Sequence, residues 1–399
     1  MSSGNLIQHS FLKEAAFGEL NDTGDFQAIS KTSAAFTGTP DTTESSTIRS
    51  DRLPSGNIVT GLTVNGSISN ELAKTVVHDE FLAATMMKDW PAAATPITTD
   101  VAYDATAGTL TTGGTDFTTV VAVGDTITIS GLVAPADIYN NTAVFTVTAV
   151  TSTVLNVITS SSIVDWDATA GAGAILQVAP CVVIGQTMNS YTFEKQYLDL
   201  TDKAILYLGE IFSGFDAKFA YGSPVTIDYS LMGAGKELPS TPVVQPAGAR
   251  TLLPAPAENF FNPTSDMPFV MIDGQVATYC VESLGVTLDN GVSSKDCIGR
   301  LTKAGFDLGT AKVGVTMDAH FSDNNFPMLQ RILDQDTVEI AWPVIDNEGN
   351  GYMFYVSCQL TGDDPDVSGQ DAQAMLNLSG SGAIGDDGLV LRICQITAA

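Results

Sequence analysis

ESSTIRSDRLPSGNIVTGLTVNGSISNELAKTVVHDEFLAATMMKDW, Glu44 to Trp90, decides how this chain is read. It opens polar, with Thr47, Ile48, Arg49, Ser50, Asp51 and Arg52 ahead of a Pro54–Ser55–Gly56–Asn57 break. Proline fixes φ and glycine permits positive φ, so the break predicts a turn or loop tip. From Ile58 to Ile68 the larger apolar residues alternate with Gly, Thr, Asn and Ser, which predicts a strand with one apolar face. From Thr75 the period changes: Val77, Phe81, Leu82 and Thr85 recur at helical spacing, predicting a short amphipathic helix from Thr75 to about Met87 that lies across the sheet.

Loop, strand and helix together resemble the start of the tail tube (major tail) protein of long-tailed, non-contractile bacteriophages. The residues that carry the resemblance are Glu44–Arg52, the Gly56–Gly66 strand and the His78–Met86 helix, supported by Glu14–Gly18 and Thr37–Pro40. The resemblance implies a mainly β fold, a tail-tube-type β-sandwich or barrel with a short flanking helix. It also implies a structural role, in stacked rings that form a hollow tube through which DNA passes.

Composition fits such a role. Lys and Arg total 17 against 45 Asp and Glu, a net charge of −28 over 399 residues. Binding to nucleic acid by phosphate neutralisation requires the opposite balance, so the surface repels DNA. A hydrophobic content of 44% and steady strand patterning argue against the disorder that strong acidity otherwise signals. The cysteines, Cys181, Cys280, Cys297, Cys358 and Cys394, are odd in number, widely spaced and without a CxxC pair. They read as small buried apolar residues in a reducing compartment rather than a disulfide framework. The first twenty residues show no basic region followed by an apolar core, and no run is long enough to span a membrane, so the expected place of assembly is the host cytoplasm.

Along the chain, 1–43 reads as an N-terminal arm, and a first tube-type domain takes 44–96 and 179–236. It is split by an insertion, 97–178, in which short Thr-, Ala- and Val-rich strands predict a small all-β decoration domain. The clearest of these are Leu110–Thr112, Thr119–Val123, Thr126–Ser130, Ala143–Val150 and Val154–Ile158. No Lys or Arg occurs between Asp89 and Glu194. The stretch 237–266 carries proline at a density that a sheet centre excludes, and reads as a linker or extended arm. The last section, 267–399, repeats the first without its insertion. Val64 corresponds to Val315, 251 residues on, Gly214 to Gly362, 148 on, and Gly233 to Gly380, 147 on. The excess of about 100 in the first offset is largely the insertion. Asn325–Leu333 answers the earlier helix, with Pro327 suited to a first helical turn. Two tube-type domains in one chain imply a trimeric ring with pseudo-sixfold symmetry, with a plain hexamer as the alternative.

The sequence carries no recognisable catalytic or metal-binding pattern. His9, His78 and His320 have no metal-ligand spacing. Asp79 and Glu80, beside His78, suit a helix N-terminus. The acidic runs Asp363–Asp366 and Asp386–Asp387 lack an EF-hand pattern and read as solvated turns. No phosphate-binding glycine loop is present. The expectation is therefore no enzyme, no cofactor and no metal. Arg49, Asp51 and Arg52 form the candidate inter-ring contact, since cations are scarce and two of them fall here. The resemblance also implies tape measure, terminator and tail-tip proteins as partners, beside the chain itself. The alternative from another class is a carbohydrate- or cell-binding adhesin or fibre, which the insertion alone fits equally well.

Overall fold

The computed structural model describes residues 6–21, 23–47, 56–132, 144–158, 165–167, 171–257, 259–362, 364–365, 373–385 and 388–397. The chain begins with β1 (Ile7–Lys13), β2 (Phe26–Ala28) and the long hairpin β3 (Ser33–Glu44) and β4 (Asn57–Glu71). Successive side chains of a strand face opposite ways. Val64, Gly66, Ile68 and Asn70 of β4 therefore point inward, while Asn65 and Ser67 are exposed. The segment expected as an arm is part of this fabric: β1 pairs with a later strand along its whole length, and Phe11 enters the main core. Two apolar residues, Phe11 and Leu12, bury on opposite faces of β1, so it is anchored from both sides.

Helix α1 (Val76–Thr85) is capped by Thr75, whose Oγ1 accepts from the His78 N–H at 3.3 Å. It is less amphipathic than the sequence predicts, because Val77, His78, Phe81, Leu82, Ala83, Ala84 and Thr85 are all buried. The chain's second half covers it. Asn290 Nδ2 donates to Thr85 O at 2.8 Å, and Tyr352 OH donates to Asp79 at 2.7 Å.

The insertion folds as its own seven-stranded sheet. Its strands are β5 (Ile97–Thr99), β6 (Val101–Asp104), β7 (Thr109–Thr112), β8 (Thr126–Ser130), β9 (Val144–Val150), β10 (Val154–Ile158) and β11 (Ala174–Val178), in the order β5-β11-β8-β9-β10-β7-β6. Its core includes Tyr103, Phe117, Phe145 and Trp166. Thr119–Val123, expected as a strand, forms none. Asp116 accepts from the Thr118 N–H and starts a single helical turn, Phe117–Thr119, whose Phe117 is fully buried. The insertion rests on the second half of the chain. Tyr355 OH lies 2.7 Å from Thr126 Oγ1 and 2.9 Å from Thr146 Oγ1, with the Arg392 guanidinium 4.0 Å above the Tyr355 ring.

After the insertion come β12 (Cys181–Val183), β13 (Tyr191–Tyr197), β14 (Lys203–Ala220), β15 (Thr226–Gly233) and β16 (Gly235–Glu237). The proline-rich stretch contributes one short strand, β17 (Leu252–Leu253). It is a packed strap rather than a free linker: Val244 is buried with Leu12 and Phe26. The Val243 and Val244 N–H groups donate to the Glu194 carboxylate at 3.1 and 3.0 Å. Proline bars a segment from a ladder, but it does not prevent packing.

The second half contains β18 (Met271–Ile272), β19 (Gln275–Val276), β20 (Val281–Asp289), β21 (Ser293–Lys295), β22 (Gly305–Asp307) and β23 (Lys312–His320). Helix α2 (Pro327–Asp334), with proline in its first turn, precedes β24 (Thr337–Ile345), β25 (Gly351–Gly362), β26 (Met375–Gly382) and β27 (Leu391–Ile396). One ladder runs β3-β4-β15-β14, passes from the second half of β14 to β20, and continues β20-β23-β26-β25-β24-β18. The two halves use the same order. Val64 faces Gly233 in the first and Val315 faces Gly380 in the second. Both long strands also divide: β14 turns its first half to β13 and β16, and β25 turns its own to β24 and β27.

One expectation is corrected outright. Cys181 and Cys394 are register partners across β12 and β27 and are joined as a disulfide. Widely spaced cysteines revealed nothing of a pairing that only tertiary register creates. Cys358 is buried, whereas Cys280 and Cys297 are exposed.

Candidate assembly surfaces

The inward face of the ladder is apolar, and its other face is made of small polar residues. One row crosses eight strands in register: Ser33, Ser69, Asp228, Asp216, Thr287, Gly314, Ser381 and Gln359. Neighbouring rows add Asn65, Ser67, Ser230, Thr316, Asp318, Asn377 and Ser379. Gly314 and Gly285 keep the face low. A Cβ on either would meet a threonine Oγ1, 2.6 Å from Thr287 and 2.5 Å from Thr316 respectively. The charges here include Asp41, Glu71, Asp216, Asp228, Asp289, Asp318 and Glu339 against Lys218 and Lys312. Lys218 Nζ lies 3.0 Å from Asp216, which holds its ammonium above the usual lysine range. Period-two alternation of Ser, Thr, Asn, Asp and Gly is the signal for this face in the sequence.

The distal half of the first hairpin projects from this ladder. Residues 42–44 of β3 and 57–60 of β4 are exposed, with Ile58 at 63% and Val59 at 47%. Arg49, Asp51 and Arg52, the sequence-predicted contact, lie outside the described residues. Among the described residues no strand pairs with the outer edge of β3. Pro40, which has no N–H to offer, suits such an edge.

Among the described residues the buried polar groups form no reacting constellation, and one of them, Tyr352, joins the second half to the first. Asp79 binds Lys74 at 2.5 Å, and Lys74 lies over the Tyr352 ring at 5.1 Å. Glu80 accepts from Tyr191 OH at 2.6 Å. Burial pushes both tyrosine hydroxyls upward, with these carboxylates adding to it. His78 sits 3.3 Å from Tyr229 OH, and burial lowers it to about 4; His9, buried near Lys31 and Lys195, falls to about 3. Glu210 is wholly buried and has no hydrogen-bond partner among the described residues. Burial, with the Glu14 carboxylate nearby, raises it to about 8. The three histidines stand on β1, α1 and β23, and no cluster of metal-ligating side chains occurs among the described residues. No helix among them is long and apolar enough to cross a membrane.

The ladder, apolar on one face and polar on the other and carrying an exposed hairpin, makes this a β-rich protein with no reacting site among the described residues. A family model described as phage tail tube protein matches residues 4–382. The chain belongs to that family, and is thus a structural, non-enzymatic protein of the phage tail. No curated protein matches it.

Proposed function

We propose that this chain closes head to tail into a three-membered ring, that rings stack into a hollow tube, and that the polar face of the ladder lines the bore. The observation carrying this reading is the join between the two halves. Gly214–Ala220 of β14 pairs with Ser283–Asp289 of β20, so the first half's long strand takes the second half's hairpin. Repeated between copies, the same step joins the end of β25 to the open edge of β3. Closure removes exposed edges, which otherwise invite aggregation.

The helices support the same step. The second half covers α1 through Tyr352 and Asn290. Helix α2 holds the equivalent position, yet Phe326 is 61% and Leu333 77% exposed at its two ends. In the ring the next copy's first half covers them. Two tube-type units per chain then give three chains pseudo-sixfold symmetry.

Across the bore, Asp216, Asp228 and Asp318 repel phosphate, and Ser, Thr, Asn and Gly offer no cationic grip. DNA passes without adhering. The insertion, held on β25 and β27 of the outer layer, acts as a decoration. Negative-stain electron microscopy of the purified protein tests the reading: hollow rings or tubes are expected. A monodisperse monomer over a wide concentration range would overturn it.

A further inference from the structure

The tip of the first hairpin has a counterpart in the second. Thr39, Asp41, Ser45, Ser46, Arg52 and Leu53 recur, each 248 residues on, as Thr287, Asp289, Ser293, Ser294, Arg300 and Leu301. The ladders carry the same correspondence. Thr39 faces Thr63 and Asp41 faces Gly61 in the first hairpin; Thr287 faces Gly314 and Asp289 faces Lys312 in the second. Moving the first strand by 248 and the second by 251 superimposes these pairs, and 251 is the offset of Val64 to Val315.

This second tip is described in full. β21 and β22 form a short ladder, and the loop between them, Asp296–Ala304, is fixed at its base: the Lys303 N–H donates to Ala234 O at 3.0 Å. Phe306 is buried beside Met87 and Ile211 and packs edge-on against Phe17 at 5.8 Å. Above that foundation Ile298 is fully exposed, at 106%, and Leu301 is 57% exposed, with Arg300 exposed between them. Lys295 and Lys303 are paired with Asp307 and Asp296. An apolar pair flanking an arginine, on a rigid base, is costly to leave in water and matches the make-up of contact centres.

We infer that the Asp296–Lys303 loop is a second inter-ring contact, whose partner is another copy of this chain in the adjacent ring. The inference rests on the tube reading and deepens it: each chain sends out two stacking loops that are related in sequence but not identical. Partner and loop are complementary in charge, since a cationic tip leaves a chain of net charge −28 and meets the surface of the same chain.

Cys297, exposed within the loop, is a native probe. Maleimide labelling of the full-length protein, mapped by peptide mass spectrometry, is compared between dispersed protein and tubes. The expected result is labelling of Cys297 at least about tenfold slower in tubes, because thiol reactivity follows exposure. Equal labelling in both states overturns the inference and leaves the tube reading intact. Arg300→Glu combined with Leu301→Asp is expected to melt as the native protein does and to form rings that do not stack. Ile298→Ser, a milder change, is expected to shorten tubes in the same direction. Tubes of native length from both variants overturn the inference. Failure of the native chain to form rings or tubes overturns the tube reading itself, and this inference with it.

Discussion

The hairpins β3–β4 and β20–β23 share one register, yet the helices that follow them are treated differently. Helix α1 is enclosed, with Phe81 fully buried against Phe11, Phe212 and Tyr229. In α2 only Met328 is buried; Leu333, and Phe326 just ahead of the helix, are exposed. The ladder is the same; the neighbour is missing. In the proposed ring a further copy supplies to α2 what the second half supplies to α1 within the chain, so on that reading the asymmetry marks where one subunit stops.

The sharpest way to break this comparison is to truncate both helices alike. Phe81→Ala, which opens a cavity in the main core, should destabilise the isolated chain by about 3–5 kcal/mol in denaturant unfolding. Phe326→Ala should change the isolated chain by less than about 0.5 kcal/mol while weakening ring formation. Equal losses in both isolated variants would remove the distinction.

Next in size is the clasp that encloses α1. Tyr352→Phe removes the hydrogen bond to Asp79 but leaves Lys74 in place, and should cost about 1–2 kcal/mol. A change at Tyr352 with no effect on the melting of the whole chain would mean that the second half does not hold the helix.

Much of this architecture is written in the sequence, and some is not. The change from alternation at Ile58–Ile68 to helical spacing after Thr75 is legible because period is local. The offsets of Val64 to Val315 and Gly233 to Gly380 are legible for the same reason, and they recur as facing pairs in the two ladders. The enclosure of α1 is not legible, since the residues that cover it, Asn290 and Tyr352, lie more than two hundred positions away. The Cys181–Cys394 pair escaped for the same reason. The polar composition of the first segment hides the pairing of β1 with β13, and the proline density of the strap hides packing partners such as Glu194, which binds two backbone N–H groups. Of the candidate contacts, the first tip is legible from its charge, and the second only from the 248-residue offset that relates Thr39 to Thr287 and Asp41 to Asp289 in the two hairpins.

The halves also differ in their response to pH. Glu210 lies in β14 of the first half, and the fold favours its neutral form. Its contribution is complete below the ordinary carboxylate range and is lost as pH rises through about 8. Glu210→Gln should therefore flatten the fall in melting temperature between about pH 5 and that value. An unchanged slope in the variant would assign the pH dependence elsewhere.

The smallest effect on stability belongs to the polar face. Asp216→Lys with Asp228→Lys should leave folding and tube length nearly unchanged, within about 0.5 kcal/mol. Such tubes should instead retain DNA, with salt-dependent binding that the native tubes lack. Binding to DNA that does not differ from native would argue against this face as the lining of the bore.

The head-to-tail join is the centre of the account, and the number of chains in a ring tests it most directly. Electron cryo-microscopy of assembled tubes, with mass per unit length measured on the same sample, gives that number. Three chains per ring, with the end of β25 paired to β3 of the next copy, is the predicted result. Six chains per ring, or rings in which the outer edge of β3 stays open, would contradict it.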